Sequence, residues 1–221
     1  MSYFLLIDTA LQNASVALAR EAEVIAFRGN EQQQDHASWL HPAIKSMLEE
    51  TEIGISQLNG VGVVAGPGSY TGLRVGMAAA KGICYAQKIP LISVSTLQLL
   101  AAAVQEHAQD VIISLIDARR EEVYAGVYDR DLNSLMPEQP MILGPESFQK
   151  WRIKNQILFT GNCHSKLERH LGIKIFHLTN TNNLIKELAS ITYKKWGKAE
   201  NVDLAYYEPV YLKEFYTMPK D

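Results

Sequence analysis

The stretch of residues 66–76, Gly-Pro-Gly-Ser-Tyr-Thr-Gly-Leu-Arg-Val-Gly, constrains the fold of this chain more than any other segment. The apolar run Val61–Ala65 predicts a buried strand before it, and the apolar spacing over Val75–Tyr85 predicts a helix after it. A glycine-rich turn between a strand and a helix can present backbone N–H groups to an anion. It can also let a helix pack tightly against a sheet. The function of the chain depends on which of these two uses applies.

Neither standard phosphate-binding template fits this turn. A P-loop has four residues between its first glycine and Gly-Lys-Ser/Thr, whereas five residues separate Gly66 from Gly72, and Leu73-Arg74 follow. The dinucleotide fingerprint Gly-x-Gly-x-x-Gly would put its last glycine one residue before Gly72. Pro67 also removes one N–H group. We therefore favour a structural turn or a protein contact. Phosphate contact is the alternative, and Arg74 could reach a phosphate or a partner carboxylate.

Apolar and alternating segments divide the chain into two α/β blocks, which we predict to be lobes at residues 1–106 and 107–221. Both blocks open with paired strands, which indicates a duplicated architecture of mixed sheets. The tail at residues 206–212 is predicted to be extended or turn-like. The predicted strands are Tyr3–Ile7, Ser15–Ala19, Val24–Phe27, Val61–Ala65, Leu91–Val94, Val111–Ile116, Glu122–Tyr128 and Ile157–Thr160. The predicted helices are His36–Glu50, Val75–Tyr85, one from Ser95 or Thr96, and Leu184–Trp196.

Composition narrows the function further. The chain has 221 residues, of which 47% are hydrophobic, and this suits one large domain or two small lobes. Its net charge of -3 gives no global basic surface, so any nucleic-acid contact would be local or made by a partner. Cys84 and Cys163 form neither a disulfide framework nor a metal-like spacing. The chain shows no signal-peptide pattern and no apolar run of the ~20 residues that span a bilayer, so we expect a cytoplasmic protein.

Two carboxylates at predicted strand ends are candidates for chemistry. Asp8, followed by Thr9, could hold a hydrated metal near a nucleotide phosphate. It could also make an Asx turn, which we favour slightly. Asp117 ends a later strand in the same way, and the alternative for it is a pair with Arg119 at the rim of the sheet. The sequence leaves these alternatives open.

The histidines and serines give weaker signals. His36 and His41 are five residues apart, which puts them about 140° from each other on a helix. Zinc-binding pairs on a helix are spaced by four and share a face. Ser69 lies in Gly-Ser-Tyr-Thr-Gly, which is not a Gly-x-Ser-x-Gly nucleophile elbow. We therefore predict neither a metal site nor a catalytic nucleophile.

Several sequence blocks, taken together and in order, resemble the bacterial TsaB (YeaZ) family. The blocks span residues 8 to 212, which is nearly the whole chain. Two departures are Tyr70, where phenylalanine is common, and Lys213, where arginine often follows the tail motif. The matching blocks are Asp8–Ala10 with Ser15–Leu18, Gly66–Gly76, Val94–Leu97, Ile116–Arg119 with Glu122–Tyr124, and Glu208–Leu212.

The resemblance implies a two-lobed fold of the actin/sugar-kinase/Hsp70 type. It also implies a role in forming N6-threonylcarbamoyladenosine at position 37 of tRNAs that read codons starting with A. In this family the transfer belongs to the paralogue TsaD, whose metal is bound by a His-x-x-x-His pair. His36 and His41 lack that spacing, so the chain is expected to be a non-catalytic subunit. The expected partners are TsaD, the ATPase TsaE and, indirectly, tRNA, with a homodimer when TsaD is absent.

The predicted sites fall into two groups, and the first rests on the apolar and small residues of two helices, which allow close helix–helix packing. Contacts with TsaD are expected from Trp39, Leu40 and Met47 on one helix and from Arg74, Ala78 and Ala79 on the next. Nucleotide contacts, if this subunit makes any, are expected from Asp8, Thr9, Gly68 and Ser69. We expect no intrinsic cofactor, and ATP or ADP at the interface with TsaD. The alternative functions are a nucleotide-dependent phosphotransferase of the same fold and a peptidase.

Overall fold

Two mixed β-sheets with helices on their faces form the framework of the computed structural model, which describes residues 1–32, 35–153, 156–173 and 181–213. The first sheet has the strand order β3-β2-β1-β4-β5. Its strands are β1 (Tyr3–Asp8), β2 (Ala14–Arg20), β3 (Glu23–Asn30), β4 (Leu58–Gly66) and β5 (Leu91–Ser95). The helices of this part are α1 (His36–Thr51), α2 (Tyr70–Gln87) and α3 (Thr96–Ala102), with short 3-10 helices at Ile55–Gln57 and Gln105–His107.

The second sheet repeats the topology of strands β1–β4 of the first and, over the residues that the structure describes, has no counterpart of β5. Its strands are β6 (Val111–Asp117), β7 (Glu122–Asp129), β8 (Ser134–Ile142) and β9 (Ile157–Gly161), in the order β8-β7-β6-β9. In both sheets the opening strand is antiparallel to the next strand and parallel to the one on its other side. The helices that follow are α4 (Gln149–Arg152), α5 (His164–Leu171) and α6 (Thr181–Gly197). The predicted duplicated, mixed-sheet architecture is therefore confirmed.

The side chains of β1 are apolar on both faces, and helices cover both faces of the first sheet. Leu5 and Ile7 face α1 and α2, where they pack with residues such as Leu40. Phe4 and Leu6 face the other way, toward α3 and α6. Because successive strand residues point to opposite faces, a strand that is apolar at every position is covered on both sides. The first sheet is thus the middle layer of a three-layer arrangement.

The helix α3 joins the two lobes. Its residues Leu97 and Leu100 pack with Ile112 and Ile116 of β6 and with Tyr128 of β7 in one buried cluster. Ser95 caps this helix, since its side chain accepts hydrogen bonds from the backbone N–H groups of the following turn. The lobes are therefore connected by a continuous apolar contact as well as by the chain.

The last helix and the tail return to the first sheet. Leu188 and Trp196 of α6 pack in the cluster that includes Phe4, and the N–H of Val202 donates to the carbonyl of Leu91 over 3.0 Å. These segments belong to the range 107–221 that the sequence analysis assigned to the second lobe. The structure adds that their packing partners are in the first lobe, because α3 covers only part of this face of the first sheet and α6 covers the rest.

The predicted elements are present, and their bounds differ mainly at α2. This helix begins at Tyr70 rather than Val75, because Ser69 caps it by accepting from the N–H of Gly72 over 3.3 Å. The glycine-rich stretch is therefore largely the first turns of a helix. The tail is extended or turn-like as predicted, while α4 and α5 were not predicted. Within the described ranges, no helix is long and apolar enough to cross a membrane.

The packing of α6 yields a stability prediction. Leu188→Ala removes a fully buried side chain and should lower the free energy of unfolding by about 2–5 kcal/mol. The matched control is Lys186→Ala on the exposed side of the same helix, which should change it by less than ~0.5 kcal/mol. Urea unfolding followed by circular dichroism measures both. Equal effects of the two substitutions would show that α6 does not contribute a core face.

Candidate functional site

A polar cleft lies where the two lobes meet. It contains a cavity of about 510 Å³ and, beside it, a second one of about 380 Å³ that shares several of its lining residues. One wall comes from the first lobe and the other from the turn between β6 and β7. The larger cavity is lined by Ala10, Leu11, Gln12, Gly68, Ser69, Tyr70, Thr71, Ile116, Asp117, Ala118, Arg119, Tyr124 and Asn162.

The first wall is built by close contact between the start of α2 and the turn after β1. The N–H of Ser69 donates to the carbonyl of Ala10 over 2.7 Å, and the Thr9 hydroxyl donates to the carbonyl of Gly72 over 2.7 Å. A Cβ atom at Gly68 or Gly72 would collide with the backbone oxygen of Ala10 or Thr9, respectively. The glycines therefore allow a backbone approach that no other residue permits. This geometry supports the structural use of the turn.

Asp8 is buried at the end of β1 and makes an Asx turn. Its Oδ1 accepts from the N–H of Ala10 over 3.0 Å. Burial raises the pKa of this carboxyl group to about 6, and the hydrogen bond from Ala10 lowers it in part. Among the residues predicted to contact a nucleotide, Gly68 and Ser69 line the cavity. Asp8 and Thr9 are not among its lining residues, and both are buried.

The second wall is ordered around Asp117. Its Oδ1 accepts from Nζ of Lys166 over 3.0 Å and from the backbone N–H of Arg119 over 2.7 Å. Asn162 fixes the strand end, since its Oδ1 accepts from the N–H of Asp117 over 2.8 Å. The expected pairing of Asp117 with Arg119 thus uses the backbone of Arg119, and Lys166 supplies the charge. Lys166 lies on the short helix α5, which no sequence pattern predicted, so its pairing with Asp117 was not expected.

The turn of this wall has unusual backbone geometry. Arg119 and Arg120 both have left-handed φ values, 66° and 48°. Positive φ values are uncommon for residues other than glycine, and two in succession are more so. The turn is closed by the N–H of Glu122, which donates to the carbonyl of Arg119 over 3.2 Å. The turn brings the Arg119 and Arg120 side chains to the mouth of the cleft.

The predicted partner residues divide by burial. Leu40 and Met47 are fully buried and Ala79 is 5% exposed, so these three are core residues and their prediction as surface contacts is corrected. Their helices turn those positions toward the first sheet. Trp39 is half-buried, whereas Arg74 and Ala78 are exposed on α2.

An apolar groove lies on another side of α2, and none of these exposed positions is among its lining residues. It has a volume of about 580 Å³ and runs between the second half of α1 and the C-terminal part of α2. Ile44, Leu48, Ile53 and Ile83 are among its lining residues, together with His41. No sequence pattern predicted this groove, because a helical pattern does not show how two helices diverge.

The two histidines of α1 have different environments. His36 is buried, and burial lowers the pKa of its imidazole, while His41 is exposed at the groove. The structure therefore does not bring their side chains to one face of α1. In the described part of the chain, no group of three or more His, Cys, Asp or Glu side chains is arranged as metal ligands.

Comparison with known proteins gives consistent matches over most of the chain. The family model described as TsaD, tRNA N6-adenosine threonylcarbamoyltransferase, matches residues 29–206. The tRNA threonylcarbamoyladenosine biosynthesis protein TsaB of Bacillus subtilis (strain 168) is 34% identical over 179 residues, which is 78% of each chain. The TsaB protein of Escherichia coli (strain K12) is 27% identical over 217 residues, 95% of this chain and 94% of that one.

A solved structure shows the same fold. YeaZ from Pseudomonas aeruginosa superimposes with a TM-score of 0.80 at 25% identity, covering 96% of this chain and 100% of that chain. The fold class implied by the resemblance, a two-lobed α/β fold of the actin/sugar-kinase/Hsp70 type, is confirmed.

The glycines of α2 provide a matched pair of substitutions. Gly72→Ala would drive a Cβ atom into the carbonyl oxygen of Thr9 and should destabilise the protein by about 1–3 kcal/mol. Gly82→Ala lies in the same helix with nothing within 4 Å of the added Cβ, and it should stabilise by roughly 0.5–1 kcal/mol. Thermal unfolding measures the two effects. Similar effects of the two variants would contradict the close-approach role of Gly72.

The buried Asp8 predicts a pH dependence of stability. The free-energy cost of burying the ionised Asp8 carboxylate is absent below its ordinary pKa of 3.8 and fully present above its pKa of about 6 in the folded protein. Because the folded state holds the proton more tightly, the contribution of Asp8 to the free energy of unfolding falls as the pH rises through this window. The difference between the two pKa values corresponds to roughly 3 kcal/mol.

The test is Asp8→Asn, which keeps an oxygen that can accept from Ala10. This variant should match the wild type near pH 4 and exceed its stability near pH 7, by up to roughly 3 kcal/mol. Urea unfolding at several pH values measures the difference, with Asp131→Asn at an exposed position as the control. A wild-type–variant difference that stays constant from pH 4 to pH 7 would contradict the prediction.

Proposed function

Because the chain belongs to the TsaB (YeaZ) family, we propose that it is a non-catalytic subunit of the bacterial assembly that makes N6-threonylcarbamoyladenosine at position 37 of tRNAs reading ANN codons. Its involvement in tRNA threonylcarbamoyladenosine biosynthesis follows from the relatives named for that process. The observation that carries the proposal is this sequence match, which extends over most of both chains. In the proposed assembly the chain binds and supports TsaD, acts together with the ATPase TsaE, and works in the cytoplasm.

The environment of the histidines supports a non-catalytic role. A pair that binds one metal ion must present ring nitrogens to the same point in space. His36 is the first residue of α1 and is buried, whereas His41 is exposed at the apolar groove. The resemblance implied that TsaD holds its metal with a pair on the corresponding helix. We therefore propose that the transfer to adenosine takes place on TsaD.

The outer face of α2 is the proposed contact with TsaD. Arg74, Ala78 and Gly82 are exposed there at intervals of four residues, so they form one stripe along the helix. Tyr70 and Tyr85 lie at its ends with exposures of 38% and 80%. Small residues between larger aromatic ones let a second helix approach closely and anchor at both ends.

The apolar groove between α1 and α2 is a separate apolar surface of the same lobe. Its lining includes Leu48 and Ile83, and Trp39 is half-buried against the same core. Because Ile83 is about 100° from Gly82 around the helix axis, the groove opens on a different side of α2 from the stripe. An exposed apolar groove is typical of a protein contact. The α2 stripe would also serve a homodimer when TsaD is absent.

The first cleft wall argues against a nucleotide site within this subunit alone. Oδ1 of Asp8 accepts from Ala10 and the hydroxyl of Thr9 donates to Gly72, so both groups make internal hydrogen bonds. We therefore propose that this subunit has no cofactor of its own and that ATP or ADP binds where it meets TsaD. Turnover of ATP by the isolated chain would instead favour the phosphotransferase alternative. Cleavage of a glycoprotein that is lost in Ser69→Ala would favour the peptidase alternative.

Reconstitution tests the proposed function directly. Purified TsaD and TsaE, with the threonylcarbamoyl-adenylate substrate and an unmodified tRNA, should modify adenosine only weakly alone and strongly when this chain is added. Mass spectrometry of nuclease-digested tRNA measures the product. Full modification without this chain, or none with it, would contradict the proposal.

A charge on the α2 stripe should disrupt the partner contact. Ala78→Glu would place an unpaired carboxylate in the proposed interface, and it should weaken TsaD binding by at least about tenfold, ~1.4 kcal/mol. The matched control is Ala22→Glu in the exposed turn between β2 and β3, which should leave affinity unchanged. Titration calorimetry with folded variants measures both. Wild-type affinity of the Ala78→Glu variant would exclude this face.

A further inference from the structure

The tail motif Glu208–Leu212 has no part in the function proposed above, yet it crosses from the first lobe to the second. The N–H of Val210 donates to the carbonyl of Ala65 at the end of β4 over 2.8 Å. Two residues later, Leu212 packs in the cluster between the lobes. Lys213 then forms an ion pair with Glu122 at the start of β7. The segment is therefore attached to both lobes within four residues.

The first attachment uses a position that only glycine tolerates. Gly66 has a φ of +119°, and a Cβ atom there would lie 2.7 Å from the carbonyl oxygen of Val210. The end of β4 thus keeps its backbone bare where the tail lies against it. Upstream, Nζ of Lys81 on α2 donates to the carbonyls of Ala205 and Tyr207 over 3.2 and 3.0 Å. The tail is consequently held against α2 before it reaches the second lobe.

The middle of the segment is fastened to the outer face of α2. Nε of Arg74 donates to the hydroxyl of Tyr211 over 3.2 Å. The Arg74 guanidinium also lies 4.3 Å from the ring centroid of Tyr70, and the rings of Tyr70 and Tyr211 are 5.3 Å apart. Each of these contacts is of modest strength by itself. Together they join the exposed stripe of α2 to the tail.

The tail also borders the cleft. Val210, Tyr211, Leu212 and Lys213 line the smaller cavity of about 380 Å³, opposite Arg119 and Arg120. A shift of these four residues therefore changes the mouth of the cleft. It also changes the ion pair between Lys213 and Glu122, which is the first residue of β7 behind that wall.

We propose that residues 208–213 are a strap that couples the outer face of α2 to the opening of the cleft between the lobes. In the seated state, Tyr211 is bound to Arg74 and Lys213 to Glu122, and the lobes are held together at the cleft mouth. In the released state these contacts are lost and the β6–β7 turn moves away from the start of α2. A protein that binds the α2 stripe shifts the balance between the two states through Tyr70 and Arg74. The identity of that protein, TsaD, rests on the proposed function.

Hydrogen exchange of the isolated chain tests the strap without any partner. Tyr211→Ala and Lys213→Ala should each speed amide exchange in residues 118–124 by about fivefold, the effect of losing one contact of ordinary net strength. Arg74→Ala, although it lies in the first lobe, should speed the same second-lobe amides. The control is Tyr206→Ala, in the same tail at a side chain that is 85% exposed, which should leave them unchanged.

Two results would overturn the strap. One is unchanged exchange in residues 118–124 in Tyr211→Ala, Lys213→Ala and Arg74→Ala. The other is faster exchange of the whole chain to the same degree, including the core strands β1 and β4, because this would mean global destabilisation and no coupling. Acceleration confined to the cleft and the tail supports the proposal.

Adding TsaD separates the strap from the proposed function. Binding of TsaD to the wild-type chain should change the amide exchange rate in residues 118–124 by at least about twofold. A change of this size can be measured alongside the fivefold effect of the substitutions. The Lys213→Ala variant, whose substitution lies outside the α2 stripe, should bind TsaD with little further change in exchange in residues 118–124. Absence of binding by the wild-type chain would contradict the proposed function and leave the isolated-chain result standing. Binding that leaves exchange at 118–124 unchanged would contradict the coupling alone.

Discussion

The close backbone contact between the start of α2 and the turn after β1 is the constraint on which the rest of the structure depends. It requires bare Cα atoms at Gly68 and Gly72 and is fastened by the hydrogen bonds of Ser69 and Thr9. Because α2 is a rigid rod, fixing its first turn also fixes the direction of its outer face. One contact therefore positions both the first wall of the cleft and the stripe that faces outward.

Local patterns predicted the elements of this fold better than their surroundings. Apolar runs such as Val61–Ala65 identified the strands, because a buried strand must be apolar on both faces. The start of α2 was missed because glycines and a proline in the sequence outweighed the cap at Ser69. Leu40, Met47 and Ala79 were predicted to contact TsaD, although they are buried against the first sheet. Helical spacing shows that a helix has an apolar face, and only the tertiary structure shows what covers that face.

The duplicated topology makes Asp8 and Asp117 equivalent, since each ends the first strand of its sheet. Their environments differ. Asp8 is buried, with its pKa raised by desolvation, whereas Asp117 is 40% exposed at its side chain and paired with Lys166. The sequence placed both carboxylates at strand ends, but it carried no signal for Lys166, whose pairing depends on the position of α5. The first carboxyl group is part of the structural core, and the second lies at the cleft in an ion pair with Lys166.

Part of the charge at the cleft is used within the molecule. Lys166 is bound to Asp117 and Lys213 to Glu122, so an RNA phosphate would have to compete with these carboxylates for both cations. Arg119 and Arg120 also line the cleft mouth, and the ion pairs found among the described residues do not include their guanidinium groups. Because the net charge of the whole chain is -3, these cations form a local patch, and an RNA contact there would release few counterions. The internal pairs fix the lobes and the tail, and the small extent of the patch agrees with the proposal that tRNA is engaged through the assembly, while this subunit contributes α2 and a defined arrangement of its lobes.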